Sequence, residues 1–177
     1  MFFFLIGCNN SKELSLSEKE SYLALGDSIS NKAQMVLLSN VSQKIQESGT
    51  VGAVDFCSEK AVFLTDSVSN EFSAKIQRLT DKNRNPKNAL QSKTDKKAWS
   101  ALQNNPESKH LILQDNNSVY YYKSIPLGMP TCLMCHGNKE SDISPETLEL
   151  INLKYPQDKA INYKMGDFRG IWKIKLN

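Results

Sequence analysis

The chain has 177 residues, of which 40% are apolar and 23% charged, and its formal net charge is only +3. This suits one compact domain with a short tail, and excludes the long apolar runs of a membrane channel. The 22 basic side chains are scattered and form no block interleaved with aromatics, so no nucleic-acid partner is expected.

The chain opens Met1-Phe2-Phe3-Phe4-Leu5-Ile6-Gly7-Cys8. This stretch is too short to span a bilayer and lacks the basic start of a complete signal peptide, so it has the form of the tail end of one. Leu5-Ile6-Gly7-Cys8 is similar to a bacterial lipobox, whose cysteine thiol receives a diacylglyceryl group. Cys8 is therefore the expected lipidation site, and polar Ser11 to Lys19 the expected tether. Residues 1–19 are assigned to residual signal and tether, and 20–177 to a single domain. The expected location is periplasmic or otherwise extracytoplasmic, at the membrane only through the lipid.

From about Ser17 to Gln46, residues Leu25, Ile29, Ala33 and Val36 recur at helical spacing, which predicts a long first helix. Gly49 breaks it. A second helical pattern follows, with Val54, Cys57, Ala61 and Leu64 on one inward face. Glu71 to Leu79 suits a helix end or a short strand, and Thr80 to Asn88 a loop.

Leu111 to Leu113, the turn Asp115-Asn116-Asn117, and Val119 to Tyr122 predict a β-hairpin. Its second strand runs to Pro126, so a firm sheet edge is expected to position the segment that follows. Ser144-Pro145-Glu146-Thr147 is a helix start continuing through Leu153, and Gly170 to Leu176 alternates as a half-buried strand does.

The segment after the hairpin reads Cys132-Leu133-Met134-Cys135-His136. Cysteines three apart can each form a thioether with one vinyl group of a porphyrin, and the histidine that follows reaches the iron from the same side. The pattern predicts one c-type haem per chain, held by Cys132 and Cys135 with His136 as proximal ligand. A zinc site would need four ligands, whereas Cys135 and His136 are adjacent and no second cysteine pair exists to complete the set. A thioredoxin-like disulfide would follow an early strand, not a late hairpin and a Gly-Met-Pro turn. A plain structural disulfide would leave His136 without a role.

Haem attachment of this type occurs outside the cytoplasm, in agreement with the lipobox. In an oxidising compartment the remaining cysteine, Cys57, is expected to be buried or employed. The sixth iron position could be taken by Cys57, by His110, by a methionine, or by nothing. Residue chemistry leaves Cys57 divided between distal ligand and small buried hydrophobe. His110 precedes a strand and is expected at its edge. Met134 sits inside the attachment loop, while Met129 and Met165 could pack on the haem edge.

Gly49 to Leu176 resembles the Tll-type cyanobacterial c-haem domain family. The resemblance rests on ordered segments: Cys57 followed by Ser-Glu-Lys-Ala, Arg78-Leu79-Thr80, Asn83-Arg84-Asn85-Pro86 with Asn88, Cys132 to Gly137, Tyr155 to Ala160, and Gly166 to Gly170. It implies an α+β, PAS-like antiparallel sheet packed by helices, with His136 proximal and Cys57 as distal thiolate. Arg84, Asn85 and Asn88 match its Arg-Asn-Pro segment; a propionate contact suits Arg84, while loop architecture explains the asparagines equally well. The chain departs from the family pattern at Ala89 to Ala98 and at Ser100 after Trp99.

The resemblance also implies a sensor of redox state or of a diatomic gas; an enzyme such as a peroxidase is not expected, because no distal acid/base histidine is evident in the sequence. With no kinase in the sequence, the signal is expected to pass to a separate redox or signalling partner. A small electron-transfer cytochrome is the alternative, and the long first helix could pair with a copy of itself.

Overall fold

The computed structural model describes residues 13–177, so Cys8 and the apolar start lie outside the described residues. Helix α1 runs from Leu16 to Glu71, capped by Ser15, whose side chain accepts from the Glu18 amide while Glu18 reciprocates at the Ser15 amide. The last residues of the expected tether therefore form its first turn.

A straight helix of this length would extend about 84 Å and place Lys32 about 58 Å from Glu71. Instead Lys32 Nζ lies 3.9 Å from the Glu71 carboxylate. The helix folds back at Ser48 and Gly49, where φ/ψ leave the helical region; Gly49 has φ 65° and ψ −172°, a conformation open in practice only to glycine. The break predicted at Gly49 thus divides α1 into two arms, one before and one after it.

Four strands follow in one antiparallel sheet: β1 (Lys75–Leu79), β2 (His110–Asp115), β3 (Ser118–Pro126) and β4 (Phe168–Lys175), in the order β1-β4-β3-β2. The hairpin pairs Asp115 with Ser118 across Asn116 and Asn117, with Asn116 at φ 54° as such turns require. β3 lies inside the sheet, not at its edge, because β4 returns from the C-terminus to pair between β1 and β3. The later motif is therefore fed from the end of a strand bonded on both sides.

Successive strand residues face opposite layers. Tyr121, Trp172, Ile174 and Ile76 face the arms of α1 and pack with Ile29, Ala33 and Val68. Tyr122, Ile171 and Leu79 face helix α2 (Lys93–Asn104) and meet Ala98, Trp99 and Leu102. Helices thus cover both faces, the α+β, PAS-like arrangement expected.

Two local readings change. The Ala89 to Ala98 departure contains the start of α2, which the sequence reading did not place; its signal is the Ser92–Asp95 capping box. Leu25 is 43% exposed, because Gly26, Ser30 and Ala33 form the buried stripe and bring the first arm close to Tyr121. That arm is fastened by Asp27, which accepts from Tyr121 Oη at 2.6 Å and Lys123 Nζ at 2.8 Å and lies 3.0 Å from His110 Nδ1. Burial would raise this carboxyl, but those hydrogen bonds outweigh it and hold Asp27 at about 2.

Among the described residues, no helix is long and apolar enough to cross a membrane.

A Cβ at Gly26 would overlap the buried ring of Tyr121. Gly26→Ala is therefore expected to destabilise the protein by about 1–3 kcal/mol through overpacking, read as a lowered urea midpoint. An unchanged midpoint would mean that the first arm does not pack at this distance.

Candidate functional site

The predicted motif forms a compact turn between β3 and helix α4 (Pro145–Lys154). Pro130 to Cys132 make one 3-10 turn, and Leu133–His136 form the short helix α3. Gly137 ends it; a Cβ there would stand 2.7 Å from Leu133 O, so any side chain would force the turn apart. The segment after α4 fastens the motif from behind. Asn162 N donates to Gly137 O at 2.8 Å and Tyr163 N to His136 O at 3.0 Å.

The same segment orients the imidazole. His136 Nδ1 lies 2.8 Å from Ala160 O. A carbonyl can only accept, so Nδ1 carries the proton and Nε2 keeps its lone pair. Burial lowers the His136 pKa well below its ordinary value, and the cations of Arg84 and Arg169 lower it further. The ring is neutral at physiological pH, the state that binds a metal.

His136, Cys132 and Cys135 line a cavity of about 410 Å³ between the sheet end and α1. The first arm contributes Leu37, Leu38, Val41 and Ile45, and the second Val54 and Cys57. Folding back thus brings Cys57 into the cavity that the motif lines. Burial raises the Cys57 thiol pKa, while Arg78 and Arg84 pull it down. Burial likewise pushes Cys135 up to about 11, against the pull of Arg84. Cys57, Cys132 and Cys135 are all free thiols. Among the described residues, no three His, Cys, Asp or Glu side chains converge as a bare ion such as zinc would require.

Arg84 lines the cavity, but its Nη2 is committed to protein. It donates to Cys135 O at 2.6 Å, to Asp158 Oδ2 at 2.9 Å and to Ala160 O at 3.4 Å. One guanidinium thereby ties the loop after β1 to the motif and to the segment that orients His136. Its Nε is buried without a partner among the described residues. Asn85 caps the turn Pro86–Asn88 with its side chain, Asn88 O accepts from Thr80 N, and both asparagines also line the cavity.

His110 lies on edge strand β2 beside Asp27 and is not among the residues lining the cavity. Met129 lines it; Met134 and Met165 do not, and are 38% and 44% exposed. Arg78, Tyr155 and Arg169 also line it, and the sequence reading noted all three only as parts of matching segments, with no role in the site. For Arg78 a signal existed: it stands two residues after Ile76 on the strand face that α1 covers.

Free thiols, a neutral imidazole with an available lone pair, apolar walls and three guanidiniums equip the cavity for a large flat group with a metal at its centre and anionic edges. The fold and this site define a class: single α+β domains in which a Cys-x-x-Cys-His turn at a sheet end lines a cavity under a folded-back helix. The chain belongs to the Tll0287-like family, whose model matches residues 15–177. Its fold is similar to the crystal structure of the cyanobacterial heme-protein Tll0287, with a TM-score of 0.69 at 22% identity over 88% of this chain and 94% of that one. No curated protein matches the chain.

Arg84 and Asp158 are 12% and 5% exposed in their side chains. Removing one charge of such a pair strands the other, so Asp158→Asn is expected to lower stability by about 3–5 kcal/mol in chemical denaturation. A loss no larger than that of an exposed pair would show that this contact does not hold the motif.

Proposed function

We propose that this chain is an exported haem protein of c type, one haem per chain, that senses redox state or a diatomic gas and is not an enzyme. The observation that carries the reading is the Cys132–His136 turn beside Cys57 in one cavity, with His136 Nδ1 tied to Ala160 O so that Nε2 is the nitrogen left to bind iron.

The residues fit the group. Cys132 and Cys135 would hold it by thioethers, His136 would supply one axial ligand and Cys57 the other. When bound, the haem supplies an iron that changes oxidation state and, at a free axial position, takes up small gases. As a thiolate, Cys57 would favour the ferric state and would be the ligand able to leave. It stands eight residues beyond the break in α1, so its departure would be transmitted along the second arm to α4. There Thr50 meets Thr147 at 2.6 Å and Asp55 meets Lys154 at 2.7 Å. A separate signalling or redox partner would read that movement. Cys8 would anchor the domain to the membrane by its lipid, on the periplasmic side.

Electron transfer is the second reading. It is favoured by the exposure of the motif at Met134, which places the attachment turn within reach of a docking protein.

Produced with export and haem attachment, the protein is expected to gain the mass of one haem, and Cys132→Ser with Cys135→Ser to lose it. Cys57→Ala is expected to change the ferric absorption spectrum, and reduced wild type to bind carbon monoxide. No gain in mass contradicts the haem reading; identical ferric spectra remove Cys57 from the iron. Reduced protein that refuses carbon monoxide turns the assignment to electron transfer.

A further inference from the structure

Three arginines line the cavity, and among the described residues only Arg84 has a carboxylate partner, Asp158. Arg169 Nη1 makes two long contacts, to Thr80 Oγ1 and Lys82 O, each at 3.4 Å, with its guanidinium over the Tyr163 ring. Arg78 is more exceptional. Among the described residues it has no hydrogen-bond acceptor and no ion pair; its guanidinium lies 6.0 Å from the centre of the Trp172 ring. It is half-buried in the cavity wall, and Arg169 adds a like charge nearby.

A cation taken from water is expensive unless an anion or acceptors replace the lost hydration. Two half-buried guanidiniums that line one largely apolar cavity, with no carboxylate paired to either among the described residues, therefore point to an anion brought by a ligand. Position narrows the choice further. Arg78 lines both the cavity and the groove running along edge strand β1, so it stands where the cavity opens toward water. A flat ligand with an apolar body and carboxylates on one edge would seat its body among the side chains of α1 and its acidic edge at that mouth.

Resting on the haem reading above, we infer that Arg78, seconded by Arg169, is the seat of the haem propionates, while Arg84 braces the motif through Nη2. Arg78 offers several N–H donors in a planar fork that matches a carboxylate. Its charge keeps that carboxylate ionised and opposes extra positive charge on the iron. Arg78 is thus a positioning residue: it fixes the haem edge and raises the potential without touching the iron.

The test uses full-length protein carrying haem, as wild type, Arg78→Gln and Arg78→Lys. Intact mass comes first, because attachment depends on Cys132 and Cys135; wild type without haem overturns the reading on which this seat rests and not the seat alone. With haem attached, Arg78→Gln is expected to shift the oxidation equilibrium at pH 7 toward ferric by about threefold to tenfold. It should also make the potential pH-dependent between about pH 5 and 8, where a freed propionate titrates. Arg78→Lys should recover most of the equilibrium shift, since the charge is kept. Attached haem with an unchanged potential and pH profile in Arg78→Gln overturns the inference. Should Arg78→Gln fail to fold, the propionate bending bands in the resonance Raman spectrum of Arg78→Lys decide instead, because a lysine cannot reproduce the fork. A shift of those bands is expected, and identical bands overturn it.

Discussion

The return of α1 on itself at Ser48 and Gly49 is the constraint on which the rest depends. An uninterrupted helix would carry Cys57 far beyond the sheet, whereas two arms cover one face of it and roof a cavity at its end. Small residues then set how close the first arm comes, Gly26, Ser30 and Ala33 resting over Tyr121. The second arm packs on α4 through Val54 and Ile151, and the same cluster includes Cys135. One glycine conformation thus couples the thiol on the helix to the motif on the turn.

Electrostatics hold the two sides of the molecule by different means. Away from the cavity, charges are closed into pairs: Asp27 with Lys123 and His110, and buried Asp95 with Lys173 at 2.7 Å and Tyr122 Oη at 2.8 Å. Burial would raise the Asp95 carboxyl, but hydrogen bonds from Lys173, Ser92 and Tyr122 hold it below its ordinary range. Around the cavity, positive charge exceeds negative among the described residues: Arg78, Arg84 and Arg169 line it, and Asp158 pairs with Arg84 from behind. Such an imbalance is costly in a merely structural core and is natural in a site that receives an anion.

Much of this was legible in the sequence because the signals were local. The Cys-x-x-Cys-His spacing, the Asn116-Asn117 turn, the Ser144 cap and the glycine break each declare themselves within a few residues. Helix α2 did not, since its buried face consists of Ala98, Trp99, Leu102 and a charged Asp95, with three lysines around them. The interior place of β3 was hidden for another reason: it depends on β4, which arrives some forty residues later. Arg84 shows the same limit. Its residue type suggested a carboxylate partner, and only the packing reveals that Nη2 meets Asp158 together with Cys135 O and Ala160 O.

His136 on the motif turn and Cys57 on the second arm of α1 are the proposed pair of iron ligands. Iron-edge X-ray absorption of the ferric, haem-loaded protein tests it most directly, comparing wild type with Cys57→Ala. One axial sulfur alongside nitrogen is predicted in wild type, and its loss in Cys57→Ala. An all-nitrogen iron in wild type, or a sulfur that persists in Cys57→Ala and so points to Met129, would contradict the account.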